Sequence, residues 1–136
     1  MSRVLVLMGS ESDRPTMQKG VDVLAEHGVD VEVVVSSAHR DPVRTAELAS
    51  GAAAAGFGAV ICGAGLSAAL PGVVAAHTEL PVIGVPISAG TLGGLDALLS
   101  IAQMPPGVPV ATVGIDNARN AAHLALRILG KSAPAA

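Results

Sequence analysis

Residues 48–78 read LASGAAAAGFGAVICGAGLSAALPGVVAAHT, a stretch that contains no Asp, Glu, Lys or Arg. Its length would allow a helix that spans a lipid bilayer, which needs about 20 apolar residues. Pro71 and the glycines at positions 51, 56, 58, 63, 65 and 72 interrupt any such helix. They divide the stretch into helix, turn, strand, turn and helix. This punctuation predicts a soluble α/β protein rather than a membrane span.

The alternation of strand and helix continues on both sides of this stretch. Continuous apolar runs predict strands at residues 4–8, 31–35, 59–62, 81–85 and 108–113. Helices are predicted at residues 14–27, 42–55, 67–77, 94–102 and 117–129. Apolar runs without alternation are typical of parallel strands that are covered on both faces.

Five βα units in succession predict the fold class. They favour a single domain over residues 1–136, an α/β fold built as a three-layer αβα sandwich around a parallel five-stranded sheet. We expect residues 130–136 to form a flexible tail, and either Asp116 or Asn117 to cap the last helix. In this architecture ligands bind beyond the carboxyl ends of the strands.

The composition excludes several classes of protein. Hydrophobic residues make up 51% of the chain and charged residues 14%, which rules out intrinsic disorder. Phe57 is the one aromatic side chain, and 8 Lys and Arg against 11 Asp and Glu leave a net charge of −3. Nucleic-acid binding is therefore not expected. The surplus of apolar residues exceeds what one small core can hide, which favours a homo-oligomer.

The cysteine count and the N-terminus indicate the compartment. Cys62 is the single cysteine, so the chain cannot form an internal disulfide or a cysteine-based metal site. The first apolar run ends at Gly9 and is too short for a signal peptide. We therefore expect a cytoplasmic protein that does not enter the membrane.

Polar residues follow the first three predicted strands, within residues 9–13, 36–40 and 63–67. Because the carboxyl ends of parallel strands meet at the same edge of a sheet, we expect these loops to form one site. The loop at residues 86–94 is long and glycine-rich enough to cover a small ligand there.

The first loop is suited to an anion. Ser10, Ser12 and Asp13 precede a predicted helix, whose free amides and dipole favour negative charge. We therefore predict a phosphate or phosphosugar ligand, with Asp13 turned toward ribose hydroxyls. The loop has neither the Walker A ending nor the three spaced glycines of a dinucleotide site. The alternative is that Ser12 or Asp13 only caps the helix.

The second loop is suited to proton transfer. His39 lies beside Arg40, so a titratable imidazole accompanies a guanidinium that can bind phosphate through two hydrogen bonds. The alternative is a surface or capping histidine. No pair of histidines has the spacing of zinc ligands. The weaker candidates are His27, His77 and His123.

The third loop, at residues 63–67, would contact a neighbour mainly through its backbone, because it contains two glycines. Gly63 and Gly65 permit a close approach either to a ligand or to a neighbouring helix. A Ser/His/Asp hydrolase is not expected, because Gly65-Leu-Ser67 is followed by two alanines and does not complete a Gly-x-Ser-x-Gly elbow.

At these positions the chain resembles the PurE family, small cytoplasmic enzymes that carboxylate aminoimidazole ribonucleotide in purine biosynthesis. The resemblance covers nearly the whole chain and rests on several motifs in order. They are MGSESD at residues 8–13, SAHR at 37–40, GAG at 63–65, LPG at 70–72, PVIGVP at 81–86, GLDALLSIAQMP at 94–105 and GVPVAT at 107–112.

The resemblance implies a flavodoxin-like sandwich, assembled as a homo-octamer whose active sites are shared between subunits. His39 is the implied proton shuttle. Ser10 and Asp13 would hold the phosphate and ribose of the substrate, and Arg40 would bind the phosphate. The remaining substrate-binding residues would be Ser12, Ser37, Ala38, Gly65 and Leu70. The implied reaction passes through carbon dioxide and needs no metal, ATP or biotin.

Several positions depart from the family pattern. Ala69 stands where the mutase branch usually carries a second histidine, within Leu66-Ser-Ala-Ala69 in place of the usual Gly-Ala-Ala-His. Arg14 replaces a common Trp, and Asp41 replaces a common Thr. His77 lies about 12 Å along a helix from Ala69 and is not expected to replace the histidine.

These departures leave three interpretations open. The first is a mutase, which converts the N-carboxylated ribonucleotide to the ring-carbon carboxylate. The second is a direct carboxylase of aminoimidazole ribonucleotide that uses free carbon dioxide. The third is a relative with altered or weak activity, which either only binds a nucleotide or acts on another heterocyclic nucleotide.

Overall fold

The computed structural model describes residues 3–133, and these residues form five strands and five α-helices. The strands are β1 Arg3–Met8, β2 Asp30–Val35, β3 Ala59–Gly65, β4 Val82–Ile87 and β5 Ala111–Thr112. The helices are α1 Arg14–Glu26, α2 Pro42–Gly51, α3 Leu70–His77, α4 Leu95–Ala102 and α5 Ala118–Ile128. Strand and helix alternate along the chain, which confirms the predicted succession of βα units.

The described strands form one parallel sheet in the order β2-β1-β3-β4-β5. Val6 of β1 pairs with Val33 of β2 on one side and with Ile61 of β3 on the other. The crossovers that leave β1 and β3 therefore run to opposite sides, which opens a crevice at the carboxyl ends of these two strands. This strand order is that of the flavodoxin-like fold, and it confirms the predicted fold class.

Hydrophobic side chains cover both faces of the sheet. On β1, Val4, Val6 and Met8 belong to the core shared with α1 and α5. Leu5 and Leu7 belong to the opposite core, shared with α2, α3 and α4. Because successive residues of β1 are buried on opposite faces, the strand reads as a continuous apolar run, and the sandwich has three layers.

The end of β3 differs from its prediction. Residues 63–65, predicted as a loop, continue the strand, where Gly63 pairs with Val85 and Gly65 pairs with Ile87 of β4. A side chain at Gly63 would collide with Met17 of α1 and with Ile87. This glycine therefore allows close packing between the sheet and a helix rather than a turn.

Three further boundaries were predicted wrongly. Helix α3 begins at Leu70 and not at residue 67, so residues 66–69 form the loop after β3. Helix α2 ends at Gly51, and a turn follows it to Gly56, whose φ is +94°. Strand β5 has two residues rather than six, because Pro109 in the predicted run lacks the amide that a strand donates.

The ends of the described chain bear on two predictions. Asn117, and not Asp116, caps α5, since its side chain accepts a hydrogen bond from the backbone N–H of Asn120 at 3.0 Å. Of the predicted flexible tail, residues 134–136 lie outside the described residues. Across residues 3–133, no helix is long and apolar enough to cross a membrane.

Candidate active site

A cavity of about 530 Å³ opens at the carboxyl ends of β1, β2 and β3. All nine residues predicted for the site line it: Ser10, Ser12, Asp13, Ser37, Ala38, His39, Arg40, Gly65 and Leu70. Also in its lining are Gly9, Ala64, Leu66, Ser67, Ala69 and Ala89. The predicted convergence of the three loops is therefore observed.

The loop after β1 is ordered by its own serines. Ser12 donates its backbone N–H to the hydroxyl of Ser10 at 3.3 Å, and the two hydroxyls lie 3.0 Å apart. The backbone N–H of Asp13 donates to the carbonyl of Ser10 at 3.1 Å. These bonds close a 3₁₀ turn over Glu11–Asp13 that leads directly into α1.

Asp13 is free of the capping role that its position suggested. Its side chain makes no capping hydrogen bond to α1 in the described structure, and Ser10 caps the preceding turn instead. Burial at the cavity raises the pKa of Asp13, and a backbone hydrogen bond at Ser10 offsets this in part. The carboxylate is thus available to accept hydrogen bonds from a ligand.

Arg14, beside this loop, does not line the cavity. Its guanidinium binds the carboxylate of Glu11 through two hydrogen bonds, of 2.7 and 2.9 Å. The same hydrogen bonds lower the pKa of Glu11. The departure at position 14 therefore adds a paired charge outside the cavity.

The loop after β2 is attached to α2 at its far end. Asp41 caps α2 by accepting the backbone N–H of Arg44 at 3.4 Å. The backbone N–H of Asp41 donates to the carbonyl of Ser37 at 2.8 Å. The departure at position 41 thus has a local role, because aspartate is a preferred residue at a helix N-cap.

His39 and Arg40 are exposed within this loop and line the cavity. The hydroxyl of Ser37 accepts the backbone N–H of Arg40 at 3.1 Å and its Nε–H at 3.4 Å. Arg40 forms no ion pair with any residue between 3 and 133. The remaining guanidinium donors can therefore bind an anionic ligand.

The opposite side of the cavity carries mostly small and apolar side chains, with Ser67 as its one hydroxyl among the lining residues. We call these residues the apolar wall: Ala64, Leu66, Ala69, Leu70 and Ala89. The facing residues form the polar wall: Ser10, Ser12, Asp13, Ser37, His39 and Arg40. The division follows the strands, since β1 and β2 lead into the polar wall, whereas β3 and β4 lead into the apolar wall.

The remaining histidines lie away from the cavity. His77 is the last residue of α3, whereas Ala69 immediately precedes that helix, so His77 cannot take the place of a histidine at position 69. His27 and His123 face each other between α1 and α5, with ring centroids 6.1 Å apart. Among the described residues, no three His, Cys, Asp or Glu side chains are grouped to hold a metal ion.

Ala89 is the lining residue that sequence reasoning failed to single out. It belongs to the loop at residues 86–94, whose first two residues continue β4. An alanine carries no chemical signal of a site. Its place in the wall follows from the pairing of β4 with β3, and a general expectation that this loop could cover a ligand was the nearest indication.

Comparison with known proteins identifies relatives along almost the whole chain. The family model described as AIR carboxylase matches residues 3–136. The N5-carboxyaminoimidazole ribonucleotide mutase of Thermotoga maritima is 54% identical over 134 residues, which is 98% of this chain and 78% of that protein. The mutase of Mycobacterium tuberculosis is 56% identical over 132 residues, which is 97% of this chain and 76% of that protein.

A fungal relative and a solved structure extend the comparison. The phosphoribosylaminoimidazole carboxylase of Ogataea methanolica is 54% identical over 129 residues, but these amount to only 24% of that longer protein. The crystal structure of Treponema denticola PurE superposes with a TM-score of 0.82 at 29% identity, over 94% of this chain and 80% of that one. The chain therefore belongs to the AIR carboxylase family, also called PurE.

Proposed function

We propose that this chain is an N5-carboxyaminoimidazole ribonucleotide mutase of purine biosynthesis. It moves a carboxyl group from the exocyclic nitrogen of aminoimidazole ribonucleotide to a ring carbon. The observation that carries the proposal is the convergence of Asp13, His39 and Arg40 on one cavity in a chain of this family. The mutases of T. maritima and M. tuberculosis, similar over nearly the full chain, support the same activity.

The polar wall suits a ribonucleotide monophosphate. Arg40 binds the phosphate, and the hydroxyls of Ser10 and Ser12 add donors next to the start of α1. Asp13 accepts hydrogen bonds from the ribose hydroxyls, because a carboxylate is an acceptor and hydroxyls are donors. The rest of the substrate contacts come from Ser37, Ala38, Gly65 and Leu70.

His39 moves the proton in the proposed reaction. The C–N bond of the carbamate breaks, its electron pair returns to nitrogen, and carbon dioxide is released within the cavity. The ring carbon then forms a C–C bond to that carbon dioxide and loses its proton to His39. The nitrogen takes a proton from His39 as the C–N bond breaks, and the proton from the ring carbon replaces it, so atoms and charge balance. Retention of carbon dioxide beside the ring replaces a dilute encounter with an intramolecular one.

Assembly as a homo-octamer with shared sites is part of the proposal. Leu95 and Leu99 lie four residues apart on α4 and are 49% and 51% exposed, which supports burial of this helix face against another copy. Light scattering on the intact protein tests it, with a mass of eight chains expected. Leu95→Glu should lower that mass, and an unchanged mass would show that this face is not in the interface.

We also place the enzyme in the cytoplasm. Support comes from Cys62, which is free and buried in the sheet. Burial raises the pKa of its thiol and keeps it unreactive. Fractionation of cells that produce the chain, with detection by antibody, tests this placement.

The activity is tested by a choice of substrates. The purified protein receives either the N-carboxylated ribonucleotide in bicarbonate-depleted buffer, or aminoimidazole ribonucleotide with bicarbonate, and product is followed by ultraviolet absorbance. The absence of Trp and Tyr keeps the background from the protein low. We expect faster product from the carbamate. Preference for aminoimidazole ribonucleotide with bicarbonate would make the protein a direct carboxylase, and binding without product would make it a nucleotide-binding relative.

A further inference from the structure

Leu66 has two unfavourable features for a leucine. Its φ is +56°, in the left-handed region that favours glycine, and the residue is 53% exposed. A glycine at this position would adopt the same backbone without strain and would expose no apolar surface. Residues held in such conformations cluster at functional sites, and Leu66 lies in the apolar wall of the cavity.

The loop after β4 leaves room for this side chain. Gly90 has a φ of +65°, and a Cβ added there would lie 3.0 Å from Cδ2 of Leu66. A Cβ added to Gly65 would likewise lie 3.4 Å from the Cβ of Ala89. The glycine at position 90 thus leaves space for the end of the Leu66 side chain, and the end of β3 lies in close contact with the loop after β4.

That loop is held in place from outside the cavity. The carboxylate of Asp116 accepts the backbone N–H of Ser88 at 2.8 Å and its hydroxyl at 2.5 Å. The backbone N–H of Asp116 donates to the carbonyl of Pro86 at 2.7 Å. These three hydrogen bonds fix the segment that precedes Ala89 and Gly90, so Leu66 faces a positioned surface.

We propose that Leu66 controls the fate of the carbon dioxide released in the cavity. Its side chain favours transfer of the carbon dioxide to the ring over loss to solvent. This inference rests on the proposed mutase function. Carbon dioxide carries no net charge or dipole, so it has more affinity for the apolar wall than for the polar wall. A partly exposed apolar side chain in that wall excludes water and slows the escape of the gas.

The reaction offers two fates at one step. Once the C–N bond has broken, the ring carbon can form the C–C bond, with its proton passing to His39. Alternatively, the carbon dioxide leaves and aminoimidazole ribonucleotide is released as a side product. Leu66 changes the ratio of these two outcomes without taking part in either bond change.

The test measures this ratio in the intact protein and in Leu66→Gly. The N-carboxylated ribonucleotide is supplied in buffer containing ¹³C-bicarbonate, and decomposition in enzyme-free buffer is subtracted. Mass spectrometry gives the ¹³C content of the carboxylated product, and chromatography gives the yield of free aminoimidazole ribonucleotide. We expect Leu66→Gly to raise both by at least about threefold, while its Tm stays equal or rises because the left-handed residue is now glycine.

Two further variants separate the side chain from the backbone. Leu66→Ala keeps a residue with a Cβ and removes the apolar side chain, so it should lose carbon dioxide like Leu66→Gly. Leu66→Met keeps an apolar side chain of similar length and should restore the wild-type ratio.

Three results would overturn the inference. One is an unchanged ratio of carboxylated product to free aminoimidazole ribonucleotide in a folded Leu66→Gly. Another is a change of KM alone, which would make Leu66 an ordinary substrate contact. A third is a lower oligomeric mass for Leu66→Gly, which would place the side chain in a subunit interface. Absence of product from the carbamate in the wild-type protein is a different result, because it removes the mutase function itself and the inference with it.

Discussion

The hydroxyl of Ser36, which directly follows β2, lies 2.7 Å from the hydroxyl of Thr45 on α2, and both residues are buried. Thr45 donates its own proton to the carbonyl of Asp41 at 3.0 Å, so Ser36 is the donor to Thr45. This chain of hydrogen bonds ties both ends of residues 36–41 to α2. The position of His39 and Arg40 therefore depends on a buried pair of hydroxyls that does not line the cavity.

Replacement of Thr45 should disturb this arrangement. Thr45→Val keeps the shape of the side chain but leaves the buried hydroxyl of Ser36 without an acceptor, which costs about 1–3 kcal/mol of unfolding free energy. We expect urea denaturation to show this loss, accompanied by a lower kcat/KM. Thr45→Ser keeps the hydroxyl and serves as the control. Equal stability of Thr45→Val and the wild type would mean that this pair does not hold the loop.

Arg40 provides the test of phosphate binding. Arg40→Ala should weaken the binding of the ribonucleotide by about 1.5–3 kcal/mol, the range of a hydrogen bond to a charged group. Isothermal calorimetry measures the Kd, which should rise by about 10- to 150-fold. Arg119→Ala removes the same charge from an exposed position on α5 and should leave the Kd unchanged. Unaltered affinity in Arg40→Ala would place the phosphate elsewhere.

Replacement of Asp13 by asparagine should raise the stability of the protein but weaken its binding of the ribonucleotide. Burial raises its pKa above the ordinary value of 3.8, so the unfolded chain loses this proton at a lower pH than the folded protein does. The free energy of unfolding therefore falls as pH rises from 3.8 through the folded pKa, and the loss persists at pH 7. Asparagine does not ionise, so the free energy of unfolding of Asp13→Asn does not fall in this way as the pH rises.

The Tm of Asp13→Asn should accordingly exceed that of the wild type at pH 7. This difference should narrow as the pH falls through 3.8 and vanish well below it, where both states of the wild type keep the proton. Ribonucleotide affinity should fall at least about tenfold, because a carboxylate acceptor is stronger than an amide. A lower Tm for the variant at pH 7 would contradict the assigned burial of the charge.

Gly20 and Gly51 form a matched pair for the packing of helices. A Cβ at Gly20 of α1 would lie 2.6 Å from the backbone oxygen of Ala118, so Gly20→Ala must push α1 and α5 apart. We expect a loss of about 1–3 kcal/mol in urea denaturation. At Gly51 no atom of the described structure beyond the adjoining backbone of α2 lies within 4 Å of an added Cβ, and Gly51→Ala should be neutral or stabilising by up to about 1 kcal/mol. Equal stability of the two variants would refute this account.

Much of the fold follows from local patterns in the sequence. Continuous apolar runs identify strands buried on both faces, and the rule that parallel strands carry their sites at the carboxyl ends brought Ser10, Asp13, His39 and Arg40 together correctly. Each of these residues lies within a few positions of a strand end. They are predictable because their place depends on the nearby strand end and not on distant parts of the chain.

The errors arise where the role of a residue depends on distant parts of the chain. Gly63 has the composition of a turn, but Met17 and Ile87 occupy the space beside it, and only the assembled sheet reveals that. Ala89 enters the cavity because β4 pairs with β3, which no local pattern indicates. The left-handed backbone of Leu66 is likewise a consequence of tertiary structure, since leucine has no preference for it.

The role of His39 is the central claim, and His39→Asn tests it most directly. Asparagine keeps a polar side chain of similar reach but cannot carry a proton near neutral pH. The paired measurements are the turnover of the N-carboxylated ribonucleotide and the Kd for the same nucleotide. The account predicts that turnover falls below detection while the Kd stays within about tenfold of the wild type, because a proton carrier acts in the transition state. Turnover at the wild-type rate would contradict it.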